Sequence, residues 1–173
     1  MISTRRLLLR KPCLDDAAPI FNGYASDPDV AKFLTWRPHQ SVSETKQFLS
    51  WLDVKQTEQS LEAYVLTYKD SVGHPIGMIE SRLTEHGACL GFVLAKEYWG
   101  RGLMTEALEP IVDRAINEKR LWRVYAFCDF QNAASIRVLQ KINMSCEGTL
   151  RRWAIHPNIS IEPRDCYCFA RVR

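Results

Sequence analysis

The chain has 173 residues, is 46% hydrophobic and 25% charged, and carries a net charge of +3 from 23 Lys+Arg against 20 Asp+Glu. That length suits one domain spanning residues 1–173, and so mild and scattered a basic excess argues against nucleic acid as the partner. No stretch approaches the roughly 20 apolar residues of a membrane span, and the three leucines of "MISTRRLLLRKP" fall short of the ~7–15 of a secretory signal, so a cytoplasmic protein is expected.

"TRRLLLR" reads as a first strand, and "DDAAPIFNGYA" as a short helix opened by Asp15 or Asp16. "DPDVAKFL" adds another turn or two. "SVSETKQFLSWLDVKQ" is a clear helix: Ser41 stands three residues before Glu44, the spacing of a capping box, and Phe48, Leu49 and Leu52 follow at helical intervals. "EAYVLTYK" and "PIGMIESRL" read as strands joined by a turn at "SVGH", and "ACLGFVLA" is apolar enough for a central strand.

After "YWGRGLMT" a helix is expected from about 102 to 119. Leu103, Ala107, Leu108, Ile111, Val112, Ala115 and Ile116 form one stripe, and Pro110 is expected to kink it. "LWRVYAFCD" is the next strand, "NAASIRVLQKI" a helix capped by Asn132, and "MSCEGTLRRWAI" and "RDCYCFARVR" two closing strands. Strand 88–95, helix 102–119 and strand 121–129 make a βαβ unit, so those two strands should be parallel.

Gly100 and Gly102 stand where this helix begins, although glycine is a poor helix former by roughly 1 kcal/mol. Glycine is useful where the backbone turns sharply or lets a ligand come close. The first N–H groups of a helix lack intrahelical partners and lie at the positive end of its dipole, which makes an anion site. With Arg101 and Thr105 beside it, a diphosphate at this turn is one reading; a tight turn with no ligand is the other. Neither the GxGxxG nor the GxxxxGK(S/T) pattern is met, which disfavours the common nucleotide folds.

"GFVLAKEYWGRGLMTEAL", "CDFQNAASIRVLQKINM" and "EGTLRRW" together resemble the GCN5-related N-acetyltransferase (GNAT) superfamily, most closely the branch of ribosomal-protein N-terminal alanine and serine acetyltransferases. The likeness runs over nearly the whole chain. It implies an α/β fold: a mixed, mostly antiparallel sheet with one splayed parallel strand pair, flanked by about four helices. It also implies acetyl-CoA as cofactor and a primary amine as acceptor, with direct transfer in a ternary complex. By the same resemblance the pyrophosphate lies on Arg101, Gly102, Leu103, Met104 and Thr105 beside Gly100. The pantetheine arm pairs with Phe92, Val93, Leu94 and Ala95, and Asn132 contacts it.

Departures from the pattern are Met104, Leu139 in place of a helical tyrosine, Cys89 in place of a glutamate, and Asn143 in place of a glycine, so Asn143 should be left-handed. The losses at 139 and 89 keep a non-catalytic acyl-CoA-binding domain as an alternative. Ser135 matches the family serine that protonates the departing sulfur, or is simply a first-turn serine. Glu80 is the candidate base because a carboxylate among apolar strand residues wants a reason; an edge position facing water, or pairing with Arg82, is the alternative. His86 and His156 are further base candidates.

Trp36 and Arg37 of "TWRPH" are expected to line the acceptor channel, with "IHPNISIEPRD", including His156, as the opposite wall. The six cysteines contain no CxxC pair and read as reduced thiols, with no metal site. The chain is expected to be a monomer or homodimer, and the acceptor stays open between a protein N-terminus and a small amine.

Overall fold

A computed structural model describes residues 1–117 and 121–173. Its strands are β1 (Ile2–Ser3), β2 (Leu7–Arg10), β3 (Leu61–Tyr68), β4 (Gly77–Leu83), β5 (Gly87–Leu94), β6 (Arg123–Asp129), β7 (Ser145–Ile155) and β8 (Pro163–Val172). They form one eight-stranded sheet in the order β1-β2-β3-β4-β5-β6-β8-β7. Only β5–β6 is parallel among the described residues. The helices are α1 (Ala17–Ile20), α2 (Pro28–Ala31), α3 (Val42–Thr57), α4 (Leu103–Asn117) and α5 (Ala133–Lys141). The expected α/β architecture and the parallel pair are both present.

Local chemistry accounts for most element ends. Asp27 caps α2 by accepting from the Asp29 and Val30 N–H groups, with Pro28 at the first helical position. Ser41 Oγ accepts from the Glu44 N–H at 3.3 Å. The Glu44 carboxylate reaches back one residue further than a capping box requires, to the Gln40 N–H at 2.7 Å. Asn132 Oδ1 accepts from the Ser135 N–H at 3.1 Å to start α5. Asn143 leaves that helix with φ of 57°, the left-handed exit expected of it.

The expected helix over "DDAAPIFNGYA" is shorter than its pattern. A 3₁₀ turn at Leu14–Asp16 precedes α1, and a wide turn over Phe21–Ala25 follows. The α4 helix continues through Pro110, whose missing N–H removes one bond rather than the helix. The end of the helix expected to reach 119 lies outside the described residues.

Strand alternation divides the core into two apolar clusters, one on each face of the sheet. In β3, Leu61, Ala63 and Val65 turn toward Ile20, Tyr24, Leu49 and Leu52 of the α1–α3 layer. Their neighbours Tyr64, Leu66 and Tyr68 turn toward the layer of α4 and α5. In β4 the same rule sets Met78 on the α1–α3 face and Ile79 on the other. Glu80, two residues from Met78, therefore faces the α1–α3 layer. On α4 the stripe Leu103, Ala107, Leu108, Ile111, Val112 and Ala115 is buried as expected, Ile116 packs partly buried beside it, and Met104 joins it. Each such large aliphatic side chain contributes roughly 1.5–3 kcal/mol when fully buried.

Candidate active site

The β5–β6 pairing is short. Gly87–Cys89 pair with Arg123–Tyr125, and the ladder then stops, although β5 runs on to Leu94 and β6 to Asp129. β5 remains bonded to β4 through Leu94, and β6 to β8 through Asp129. The two strands thus part while each keeps its outer partner, and the inner edge of β5 from Leu90 onward is open. An unpaired strand edge is a template for another amide-bearing chain.

Two cavities occupy the parting. The larger, about 740 Å³, runs between the open edge of β5, the start of α4 and one face of α5. The smaller, about 240 Å³, lies on the α1–α3 face. Phe33, Leu34, Phe92, Val93, Asn132 and Ser135 line both, so the cavities meet at the start of α5.

At the larger cavity, Gly100 and Gly102 have φ of 75° and 72°. A Cβ at Gly100 would meet nothing within 4 Å, and one at Gly102 only the Arg6 Nη2 at 3.9 Å. These glycines are therefore demanded by backbone conformation and leave bare peptide facing open space. The first bond of α4 runs from the Glu106 N–H to the Gly102 carbonyl at 3.1 Å, so the N–H groups of Leu103, Met104 and Thr105 precede the intrahelical ladder. Lys32, Arg137 and Lys141 add positive charge to the walls. Backbone donors at a helix start, a glycine cradle, basic side chains and an open strand edge fit a diphosphate carrying an amide arm.

Of the other expected cofactor residues, Leu94 lines the larger cavity, whereas Ala95 and Arg101 line neither. Ala95 is buried, and its N–H donates to the Ile76 carbonyl at 2.9 Å. The Leu94 carbonyl accepts from the Trp99 indole at 2.7 Å. Arg101 is exposed, with its guanidinium 5.6 Å from the Tyr98 ring centre.

Glu106 fixes the start of α4 from behind. Its carboxylate accepts from the Thr4 hydroxyl at 2.6 Å, the Arg6 N–H at 2.7 Å and the Arg6 Nε at 2.7 Å. Although burial opposes it, these partners pull its pKa down to about 2. Sequence reading missed this anchor, because its partners are about a hundred residues away.

At the smaller cavity Glu80 is mostly covered, and burial raises its pKa, countered in part by Arg82 Nη2 at 3.0 Å. Glu80 thus lines the cavity and pairs with Arg82, and it does not stand at a water-facing edge, because β4 is flanked by β3 and β5. His39 donates or accepts at Thr45 Oγ1 (2.8 Å), and burial lowers its pKa. His156 is buried, with Nε2 3.5 Å from Cys166 Sγ and 4.0 Å from Asp129 Oδ2. Its Nδ1 and the Tyr24 hydroxyl, both on residues lining the cavity, are buried without a hydrogen-bond partner. Burial, first of all, pushes the Tyr24 phenol up, and the nearby Asp16 and Glu80 carboxylates add to this.

Trp36 lines this cavity, whereas Arg37 is exposed and lines neither. The Asn158 side-chain amide donates to the Ala31 and Trp36 carbonyls at 2.7 and 2.8 Å, tying the two expected walls together. His86 is exposed in the β4–β5 turn beside Glu85, and lines neither cavity. Tyr24 and His39 gave no sequence signal. Arg137 and Lys141 were missed too, although they stand in the sequence as an i, i+4 basic pair beginning five residues after Asn132.

The acetyltransferase (GNAT) domain family matches residues 6–145. The chain belongs to the GNAT acetyltransferase family. It is an acetyl-CoA-dependent N-acetyltransferase. An uncharacterised N-acetyltransferase, p20 of Bacillus licheniformis, is 29% identical over 151 residues, covering 86% of this chain and 84% of its own. The crystal structure of a GNAT-family acetyltransferase from Bacillus anthracis superimposes with a TM-score of 0.83 at 26% identity, over 99% of this chain and 97% of that one. The structure of RimL, a ribosomal L7/L12 α-N-protein acetyltransferase in complex with coenzyme A, shares the fold with a TM-score of 0.85 at 17% identity, over 98% and 95%.

Among the described residues no helix is long and apolar enough to cross a membrane. All six cysteines are free thiols.

Proposed function

We propose that this acetyltransferase passes the acetyl group directly to a primary amine where its two cavities meet. The observation that carries the reading is that Asn132 and Ser135 line both cavities. Bound in the larger one, acetyl-CoA supplies an activated thioester. The glycine turn from Gly100 to Thr105 and the open edge at Phe92 and Val93 hold and orient it. Ser135 holds a proton on Oγ at the junction, available to a departing sulfur. Glu80, in the smaller cavity, takes the proton that the amine gives up, and Trp36 and His156 form the acceptor walls. The raised pKa of Glu80 narrows its gap to an amine near 8. Holding two reactants in line at one junction supplies much of the remaining rate.

Ser135→Ala is expected to lower kcat with little change in acetyl-CoA affinity, toward the low end of the ~10²–10⁴-fold typical of general acids, because a CoA thiol already leaves well. Glu80→Gln is expected to depress the rate most at low pH, where the amine is protonated, and to recover as pH rises. A wild-type pH–rate profile in Glu80→Gln refutes Glu80 as base. An unchanged kcat in Ser135→Ala refutes Ser135 as acid.

A further inference from the structure

The smaller cavity carries more information than the position of its base. At about 240 Å³ it lies below the ~300–1,000 Å³ of drug-sized ligand sites, so it holds a compact acceptor group. Six aromatic side chains contribute to its walls: Tyr24, Phe33, Trp36, Phe48, Phe92 and Phe127. The rings continue outward as a contact series. Trp36 lies 5.4 Å from His39, His39 lies 6.0 Å from Phe48, and Phe48 lies 6.2 Å from the half-exposed Trp51. The first two pairs are tilted and edge-to-face and the third is stacked, arrangements that aromatic rings prefer and that a ligand ring can join.

Charge on these walls is balanced. Glu80 is the one carboxylate lining the cavity among the described residues, and Arg82 already pairs with it. A polyamine brings two or more ammonium groups. One can exchange with Arg82 for Glu80, and every other would sit among rings without a carboxylate. A ring face gives back only part of an ammonium's lost hydration. An acceptor with a second positive charge is therefore poorly matched.

The two orphaned polar atoms add a second constraint. The Tyr24 hydroxyl and His156 Nδ1 are buried with no partner among the described residues, and buried polar groups are nearly always satisfied. A ligand carrying one neutral hydrogen-bonding group besides its amine can satisfy them without bringing charge.

From this cavity we infer that the acceptor is a compact aromatic monoamine, an arylalkylamine whose ring packs against Trp36 and Phe48 and whose amine meets Glu80. The inference rests on the proposed transfer to a primary amine and names the class of that amine.

The test measures steady-state CoA release from acetyl-CoA with tyramine, phenethylamine, methylamine, spermidine and an alanine-initiated tripeptide, with calorimetry of acetyl-CoA binding alongside. The aromatic amines are expected to show kcat/KM at least tenfold above spermidine and the tripeptide. Trp36→Leu is expected to raise KM for the aromatic amines about tenfold and to shrink the kcat/KM advantage of tyramine over methylamine by a similar factor. Spermidine or the tripeptide turning over as well as tyramine overturns the inference and leaves the transferase reading standing. Equal KM values for tyramine in wild type and Trp36→Leu overturn the ring-packing assignment. Acetyl-CoA binding without CoA release for any amine overturns the transfer reading, and the inference falls with it.

Discussion

Replacing Glu106 by Gln removes one negative charge at the start of α4 and keeps the side chain's shape. Glu106 sits in the first helical turn and receives three hydrogen bonds from Thr4 and Arg6, two of them from backbone or guanidinium N–H groups of Arg6. Its folded pKa falls from 4.5 to about 2. A lowered carboxylate pKa stabilises the fold fully above the unfolded value and loses that contribution as pH falls through the folded value. The whole drop corresponds to about 3.4 kcal/mol at about 1.4 kcal/mol for each pH unit. Arg6 is 33% exposed, so solvent screening reduces the figure to about 2 kcal/mol. Glu106→Gln is thus expected to destabilise the protein by about 2 kcal/mol at pH 7, read from urea midpoints. At pH 3 wild type has lost more than half of this contribution, and the gap between the two proteins should shrink by about half or more. A gap of equal size at both pH values refutes the charge-based account and assigns the loss to altered packing.

Gly102→Asp is expected to weaken acetyl-CoA binding strongly, because it puts a negative charge at the helix start, while the fold persists with some strain at the φ of 72°, the new Cβ meeting only the Arg6 guanidinium; calorimetric titration with unchanged affinity would sink the assignment. No cysteine is expected to carry the acetyl group: burial, chiefly, raises the Cys128 thiol to about 12 and the Cys166 thiol to about 11, so thiolate is scarce at neutral pH. Mass spectrometry after rapid mixing with acetyl-CoA alone checks this, and a stoichiometric acetyl-thioester would demand a ping-pong route. Asn143→Ala is expected to cost about 1 kcal/mol in thermal or urea unfolding, since alanine pays for the φ of 57° that asparagine tolerates; no loss would mean that the backbone there relaxes.

Much of this molecule follows from signals that act over a few residues. The caps at Ser41 and Asn132, the left-handed exit at Asn143, the glycine turn before α4 and the stripe on that helix depend on spacing within one or two turns, and all were legible before folding was considered. So was the parallel β5–β6 unit, because a strand–helix–strand run closes in one hand. The acceptor cavity is of another kind. Alternation in β4 groups Met78 with Glu80, but only the pairing of β3, β4 and β5 under α1–α3 decides which layer they face. Tyr24, His39, Glu80 and His156 come from four segments up to 132 positions apart. Glu106 finds Thr4 and Arg6 across a similar separation. No local pattern encodes such meetings. They arise where two strands part while each keeps its outer neighbour, and the hydrogen bonds and apolar faces of the whole sheet decide where that parting falls.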